Sequence, residues 1–367
     1  MTIHGDQAVT GSRPNADRFP LAVLPTPLVP APRLARALGC GELWVKRDDL
    51  TGFMLAGNKA RQLELLVAAA LAAGADTLVT GGGPASNFCA AAAAAARLAG
   101  LRCVLVLYGD AGSRPHANLA RARWLSAEVR FTGDAERASV DPVLEQVAAE
   151  VRSGGGLPYL VPRGGASFVG AAAYVDAGDE LAQQLDVVGA YPATVLVAAG
   201  SGGTAAGLVA SACADRRPWR IVAAGVSRSP VEVAARVLRL AQEAAEWLGL
   251  PAASASDIDV RDARGPGYGL PSAEGEQAAQ LAATTEGLLL DPPMPARSRC
   301  TDSTARRPSA ALANPLPIPA IARPGTRLDH DEPVSIPLSA TSPAATRESP
   351  IARRAGEASR RGSQRAP

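Results

Sequence analysis

At 367 residues and 47% apolar content, the chain has room for two ordinary domains, or one large α/β domain with extra material, and enough apolar residues for a core. A net charge of +2 gives no reason to expect nucleic acid or an anionic membrane as a partner. The five cysteines are scattered without CxxC spacing and there are only three histidines, so neither a disulfide framework nor a metal site is expected.

Residues 1–19 carry Gly, Ser, Pro and Asn without periodicity and read as a mobile leader, with no apolar segment of signal type. Leu24-Pro25-Thr26-Pro27-Leu28 reads as extended, because each proline biases its predecessor away from helix. A short helix over Arg33–Leu38 is stopped by Gly39, and Glu42–Arg47 is the first predicted strand. Asn58, a favoured N-cap, opens a helix over 60–73. Lys59 then sits in the first turn, where the helix dipole disfavours the cation and eases loss of its proton. Thr77–Thr80 is a short buried strand, followed by the glycine-rich turn 81–87 and a helix over 88–99. Arg102–Tyr108 is a nearly continuous apolar run, as in a strand covered on both faces. Helices at 115–126 and 141–151 flank a strand over Glu128–Phe131, and Leu157–Val161 is a further strand ending in Pro162-Arg163-Gly164-Gly165. A helix over 168–185 leads to the strand Thr194–Ala199, a glycine-rich turn, a helix over 205–214, the strand Ile221–Val226 and a helix near 230–247. This alternation predicts an α/β protein with one or two doubly wound parallel sheets. Aromatics make up only 4%, so alanine, leucine and valine fill the core. The alanine run Ala90–Ala96 is too short to span a bilayer, and a reducing cytoplasm is the default location. From Met294 to Pro367 the chain is dominated by Pro, Ala, Arg and Ser, the composition of a disordered tail.

Two turns and one lysine stand out. Gly200-Ser201-Gly202-Gly203-Thr204 lies between a buried strand and a helix, where it is either a tight turn or a cradle for an anion. It is no Walker loop, since no Gly-Lys-Ser/Thr follows, and Gly200, Gly202 and Gly207 only come near the GxGxxG spacing. Gly83-Pro84-Ala85-Ser86-Asn87 holds the corresponding place one unit earlier. Ser86 and Asn87 either cap the next helix or form, with its N–H groups, a pocket for a carboxylate. Two anion-seeking helix starts and Lys59 together point to a ligand with a phosphate, a carboxylate and a carbonyl carbon.

The order of motifs resembles the pyridoxal-phosphate enzymes of the tryptophan synthase β-like superfamily (fold type II). Within it the chain is similar to the branch holding 1-aminocyclopropane-1-carboxylate (ACC) deaminase and D-cysteine desulfhydrase. The matching stretches are LPTPL at 24–28, ELWVKRDDLTG at 42–52, GNKARQLE at 57–64, GGGPASN at 81–87, GSGGTAAGL from Gly200, GPGYGLPSAEG at 265–275 and TEGLLLDP at 285–292. The resemblance implies two doubly wound domains, a small one over 60–165 inserted into a large one formed by 20–59 and 166–293. It also implies pyridoxal 5'-phosphate as cofactor, a small amino acid as substrate, and a homodimer. By the same resemblance Lys59 carries the cofactor, Gly200, Ser201, Gly202, Gly203 and Thr204 cradle its phosphate, and Asn87 faces its phenolic oxygen. Ser86 meets the substrate carboxylate, and Tyr268 of GPGYG lies nearest the substrate.

Two departures are visible. Family members commonly read QSNH where this chain has Ala85-Ser86-Asn87-Phe88. Beyond Asp291-Pro292 the family's VYxGKA-type tyrosine motif is missing, and Arg/Pro/Ala/Ser-rich text follows. A shift of reading frame near codon 293 produces such a break, and translating the gene in all frames tests that explanation. Three readings stay open at this stage: an active lyase or deaminase, an inactive remnant of one, and a nucleotide-binding α/β protein whose glycine loop holds a different phosphate.

Overall fold

The computed structural model describes residues 18–112, 116–191, 194–266 and 272–290, together with a strand at 334–336. In chain order the strands are β1 (Leu28–Pro30), β2 (Leu43–Lys46), β3 (Thr77–Gly82), β4 (Arg102–Leu107) and β5 (Glu128–Phe131). They continue as β6 (Pro158–Leu160), β7 (Thr194–Ala199), β8 (Arg220–Gly225), β9 (Ile258–Asp262) and β10 (Val334–Ile336). The helices are α1 (Pro32–Leu38), α2 (Asn58–Ala72), α3 (Asn87–Leu98), α4 (Ala117–Trp124) and α5 (Val140–Ser153). They are followed by α6 (Phe168–Val188), α7 (Gly203–Ala214), α8 (Pro230–Leu248) and α9 (Ala273–Glu286).

The strands form two sheets, ordered β1-β2-β10-β7-β8-β9 and β5-β4-β3-β6. Every pairing is parallel except β1 with β2. In the four-stranded sheet the chain moves outward from β3 to β4 and β5, then returns so that β6 lies on the other side of β3. The larger sheet does the same about β7, with β8 and β9 on one side and β10 and β2 on the other. Such reversals leave a crevice beyond the carboxyl ends of the strands, where ligands of open α/β sheets bind. The turns after β3, β6 and β7 all emerge there.

Local chemistry explains the helix ends. Ser229 and Glu232 form a capping box at the start of α8, Ser167 caps α6, and left-handed glycines at 39, 189 and 249 close α1, α6 and α8. In α3 every residue from Ala90 to Ala96 is buried, and those small side chains let it lie close to β3, β4 and α2. One apolar core gathers α2, α3 and the inner strands of the small sheet, and another gathers α6, α7, α8 and β7–β8. Helix α6 packs on both α2 and α7 and so links the two.

Where β2, α2 and α6 meet, charges form a closed network. Arg61, fully buried, donates to Asp48 Oδ1 at 3.0 Å and to both Glu180 oxygens at 2.8 and 2.9 Å. Lys46 donates to Thr26 O at 2.9 Å, Gln184 Oε1 at 2.8 Å and Glu180. Burial works to raise the Glu180 pKa, but Arg61 and Lys46 prevail and pull it down to about 2.

Several expectations need correction. Helix α2 begins at Asn58 with Gly57 (φ 52°) at the N-cap position, so Asn58 is not the cap and its side chain is released for another contact. Helix α7 begins at Gly203, two residues earlier than expected, because Gly202 (φ 94°) already makes the turn. Strand β9 and helix α9 were not anticipated, although Ile258 and Val260 alternate with charged residues and Ser272 accepts from Gly275 N as a cap. The leader expected over 1–19 ends sooner: Arg18 pairs with Glu64 and Asp176, and Phe19 N donates to Glu64 O at 3.1 Å. Of the tail expected to be disordered, residues 334–336 form β10, hydrogen-bonded between β2 and β7. Those two strands would otherwise leave unpaired backbone groups in mid-sheet. The rest of 294–367, and Tyr268, lie outside the described residues.

Candidate active site

Lys59 stands in the first turn of α2, as its sequence setting predicts. Its Nζ donates to Gln62 Oε1 at 3.0 Å and to Gly164 O at 3.2 Å. Burial, with no opposing carboxylate, lowers the amine to about 8, so a sizeable fraction is neutral near physiological pH. The chain's lysines are Lys46 and Lys59, and of the pair it is Lys59 that has no carboxylate partner among the described residues.

The β7–α7 turn lies directly beside it. Asn58 Nδ2 donates to Thr204 Oγ1 at 2.9 Å, fastening the start of α2 to the start of α7. A Cβ on Gly203 would stand 2.9 Å from Gln62 Nε2, so any side chain there would push the Gln62 amide away from the turn. Gln62 is fully buried, its Oε1 is taken by Lys59, and its Nε2 has no hydrogen-bond partner among the described residues. A buried amide N–H left unpaired costs about 1–3 kcal/mol, so this donor waits for an acceptor at the glycine turn. The first N–H groups of α7, which have no intrahelical acceptor, open onto the same region.

The turn Arg163–Gly165, after β6, joins these parts to the small sheet. Gly164 (φ 72°) presents its carbonyl to Lys59, and a Cβ there would lie 3.1 Å from Ser201. A Cβ on Gly165 would lie 2.8 Å from the ring of Phe88 in the first turn of α3. Phe88, at the position where the related pattern has histidine, is buried in the core around α3. Ser86 caps α3, its Oγ accepting from Cys89 N at 3.2 Å and keeping its own proton to donate. Asn118 Nδ2 donates to Asn87 Oδ1 at 2.6 Å and to Ala85 O at 2.9 Å, which turns the Asn87 amide nitrogen away from α4.

Of the candidates named from sequence, Lys59, Ser201, Gly202, Gly203 and Thr204 are brought together at one place. Gly200 follows β7 beside them, and Ser86 and Asn87 open α3 across the Phe88–Gly165 contact. Sequence reasoning missed Gln62 and the Arg163–Gly165 turn. Gln62 lies one helical turn after Lys59, so the spacing placed it on the same face. The double glycine after a strand repeated the pattern of the other two turns.

A lysine with a lowered pKa, an orphaned amide donor and a glycine turn packed against that amide suit a phosphorylated aldehyde such as pyridoxal phosphate. The chain matches the family described as "Pyridoxal-phosphate dependent enzyme" over residues 20–294. It is 40% identical to a D-cysteine desulfhydrase of Salmonella paratyphi C (strain RKS4594) over 284 residues, covering 75% of this chain and 85% of the relative. The relative from Salmonella choleraesuis (strain SC-B67) gives the same figures. A solved ACC deaminase homologue superposes with a TM-score of 0.67 at 32% identity, covering 75% of this chain and 82% of that one. A solved threonine deaminase shares the fold with a TM-score of 0.54 at 21% identity, covering 73% of this chain and 83% of that one. The nucleotide-binding alternative falls away: the chain belongs to the pyridoxal-phosphate dependent enzyme family, in its fold type II architecture.

Proposed function

We propose that the protein is a lyase releasing ammonia and an α-keto acid from a small amino acid, with D-cysteine the preferred substrate. D-Cysteine and water would give pyruvate, hydrogen sulfide and ammonia. The observation that carries this reading is the Lys59 amine, lowered to about 8 and held at 3.0 and 3.2 Å by neutral acceptors beside the glycine turn. The relatives named D-cysteine desulfhydrase support the substrate, since they match at 40% identity over 85% of their length. ACC is the second candidate, favoured by the solved ACC deaminase homologue. It has no α-hydrogen and needs another acid, base or nucleophile, and the VYxGKA tyrosine has no counterpart after Pro292.

Pyridoxal phosphate, when bound, supplies an electron sink for charge developing at the substrate α-carbon. Lys59 would hold it covalently and, once freed by the substrate amine, take the α-proton on Nζ, with Gln62 Oε1 and Gly164 O keeping that nitrogen in place. Gly200, Ser201, Gly202, Gly203 and Thr204 would bind the phosphate, helped by Gln62 Nε2. Asn87 would face the phenolic oxygen, Ser86 would donate its proton to the substrate carboxylate, and Tyr268 would stand near the substrate. We read the two sheets as the cores of a small domain, 60–165, and a large one, 20–59 with 166–293, the cofactor lying in the cleft between them. A cytoplasmic homodimer completes the proposal, and sedimentation would measure its mass.

The test supplies cofactor-loaded protein with D-cysteine and measures sulfide and pyruvate, expected in equal amounts. Ammonia from ACC without sulfide from D-cysteine would transfer the assignment to the second substrate. Release of product from neither would refute both.

A further inference from the structure

Two arginines, Arg228 and Arg236, hold the backbone of the glycine turn. Arg228, just after β8, donates from Nη1 to Gly200 O at 2.5 Å. Arg236, on α8, donates from Nε to Ser201 O at 2.7 Å. Its aliphatic stem lies against Gly202, where a Cβ would meet Arg236 Cγ at 3.6 Å. Each guanidinium therefore grips the carbonyl of one of two consecutive peptide units.

In a trans peptide the C=O and the N–H point in opposite directions. Tethering the Gly200 carbonyl outward turns Ser201 N–H inward, and tethering the Ser201 carbonyl outward does the same for Gly202 N–H. The helix start that these peptides lead into is where Thr204 meets Asn58 and Gln62 Nε2 approaches Gly203. Gly202 (φ 94°) has the left-handed backbone this path requires.

The electrostatics agree. Burial lowers the Arg228 pKa, and the neighbouring Arg137 and Arg163 lower it further. Burial, with Arg228, Arg239 and Arg163 nearby, brings Arg236 down to about 10, still charged at neutral pH. Asp141, held by Arg163 Nε and Nη2 at 2.6 and 2.5 Å, and Glu232, engaged by Ser229, pull in the opposite sense but do not outweigh burial and the neighbouring arginines. A dianion on the inner face of the turn would offset this excess positive charge.

Resting on the cofactor reading above, we propose that Arg228 and Arg236 are positioning residues that preset the phosphate cradle. They touch the phosphate through no atom of their own. They fix two peptide planes so that Ser201 and Gly202 N–H already face the anion before it arrives, which removes an ordering cost from binding.

Pyridoxal, which lacks the phosphate but keeps the aldehyde, separates this role from general support of the fold. Equilibrium binding of pyridoxal phosphate and of pyridoxal is measured by absorbance for wild type, Arg228→Gln, Arg236→Gln and Arg236→Lys. Each glutamine variant should bind pyridoxal phosphate roughly tenfold more weakly, with pyridoxal binding unchanged. Arg236→Lys, which keeps the charge, should fall between wild type and Arg236→Gln, and it serves alone if the glutamine variant does not fold. Equal weakening toward both ligands, or no weakening, overturns the inference while leaving the cofactor reading intact. A wild type that binds the two ligands equally contradicts the phosphate cradle itself, and one that binds neither contradicts the cofactor reading.

Discussion

Lys46 on β2 and Lys59 on α2 differ in almost everything that matters. Lys46 spends its donors on Thr26 O, Gln184 Oε1 and Glu180, inside a network that Arg61 and Asp48 complete. Among the described residues Lys59 meets an amide oxygen and a peptide oxygen, and burial lowers its pKa. Both amines are pulled below their ordinary value by desolvation, but at Lys46 Glu180 and Asp48 pull back. A buried cation with carboxylate partners stays an ammonium and holds structure. One without them can be a neutral nucleophile. Helix α2 carries both kinds of chemistry within one turn, with Arg61 in the saturated network and Lys59 and Gln62 on the unsaturated side.

The sharpest break in this comparison comes from exchanging the two lysines' fates. Lys59→Ala should lose covalently held cofactor completely while keeping its far-UV circular dichroism. Lys46→Met should keep the cofactor and unfold at lower temperature. A Lys59→Ala protein that retains cofactor after borohydride reduction would contradict the assignment.

Next in size is the network itself. Arg61→Met leaves Asp48 and Glu180 buried without their main partner and should cost ~3–5 kcal/mol in urea unfolding. The pH dependence follows from Glu180, depressed from 4.5 to about 2. A depressed carboxylate contributes stability that is present above pH 4.5 and lost as the pH falls toward 2. Glu180→Gln should flatten the stability profile across that window, and an unchanged slope would show that the network does not titrate as described.

A smaller change belongs to the unsaturated side. Gly203→Ala puts a methyl group 2.9 Å from Gln62 Nε2, so the amide must shift away from the turn. Cofactor affinity should fall roughly tenfold, with thermal stability nearly constant. Loss of stability without loss of affinity would mean the turn is structural only. The smallest effect is expected from Ser86→Ala, which removes the α3 cap at about 1 kcal/mol and should raise KM more than it lowers kcat.

How much of this was legible in the sequence depended on whether the signal was local. Strands β5 and β7 were readable to the residue, because continuous or β-rich runs bounded by turns need no tertiary information. Lys59, the Gly200–Thr204 turn and Ser86 were readable as strand-to-helix turns and a helix start. The Asn58–Thr204 bond was not, since it joins residues 146 apart and replaces the capping role that local propensity assigns to Asn58. Gln62 looked like one polar residue in a helix until its neighbour Gly203 was brought beside it. Strand β10 lay hidden because proline-rich surroundings argue for disorder, while its pairing depends on a gap between β2 and β7 that only the folded sheet creates.

Because Lys46 and Lys59 are the two lysines in the sequence, a single labelling measurement tests the central claim. The protein is loaded with pyridoxal phosphate, reduced with borohydride, digested and mapped by mass spectrometry. The pyridoxyl group is expected on the peptide containing Lys59, with Lys46 unmodified. A label on Lys46, or none on either, would contradict that claim.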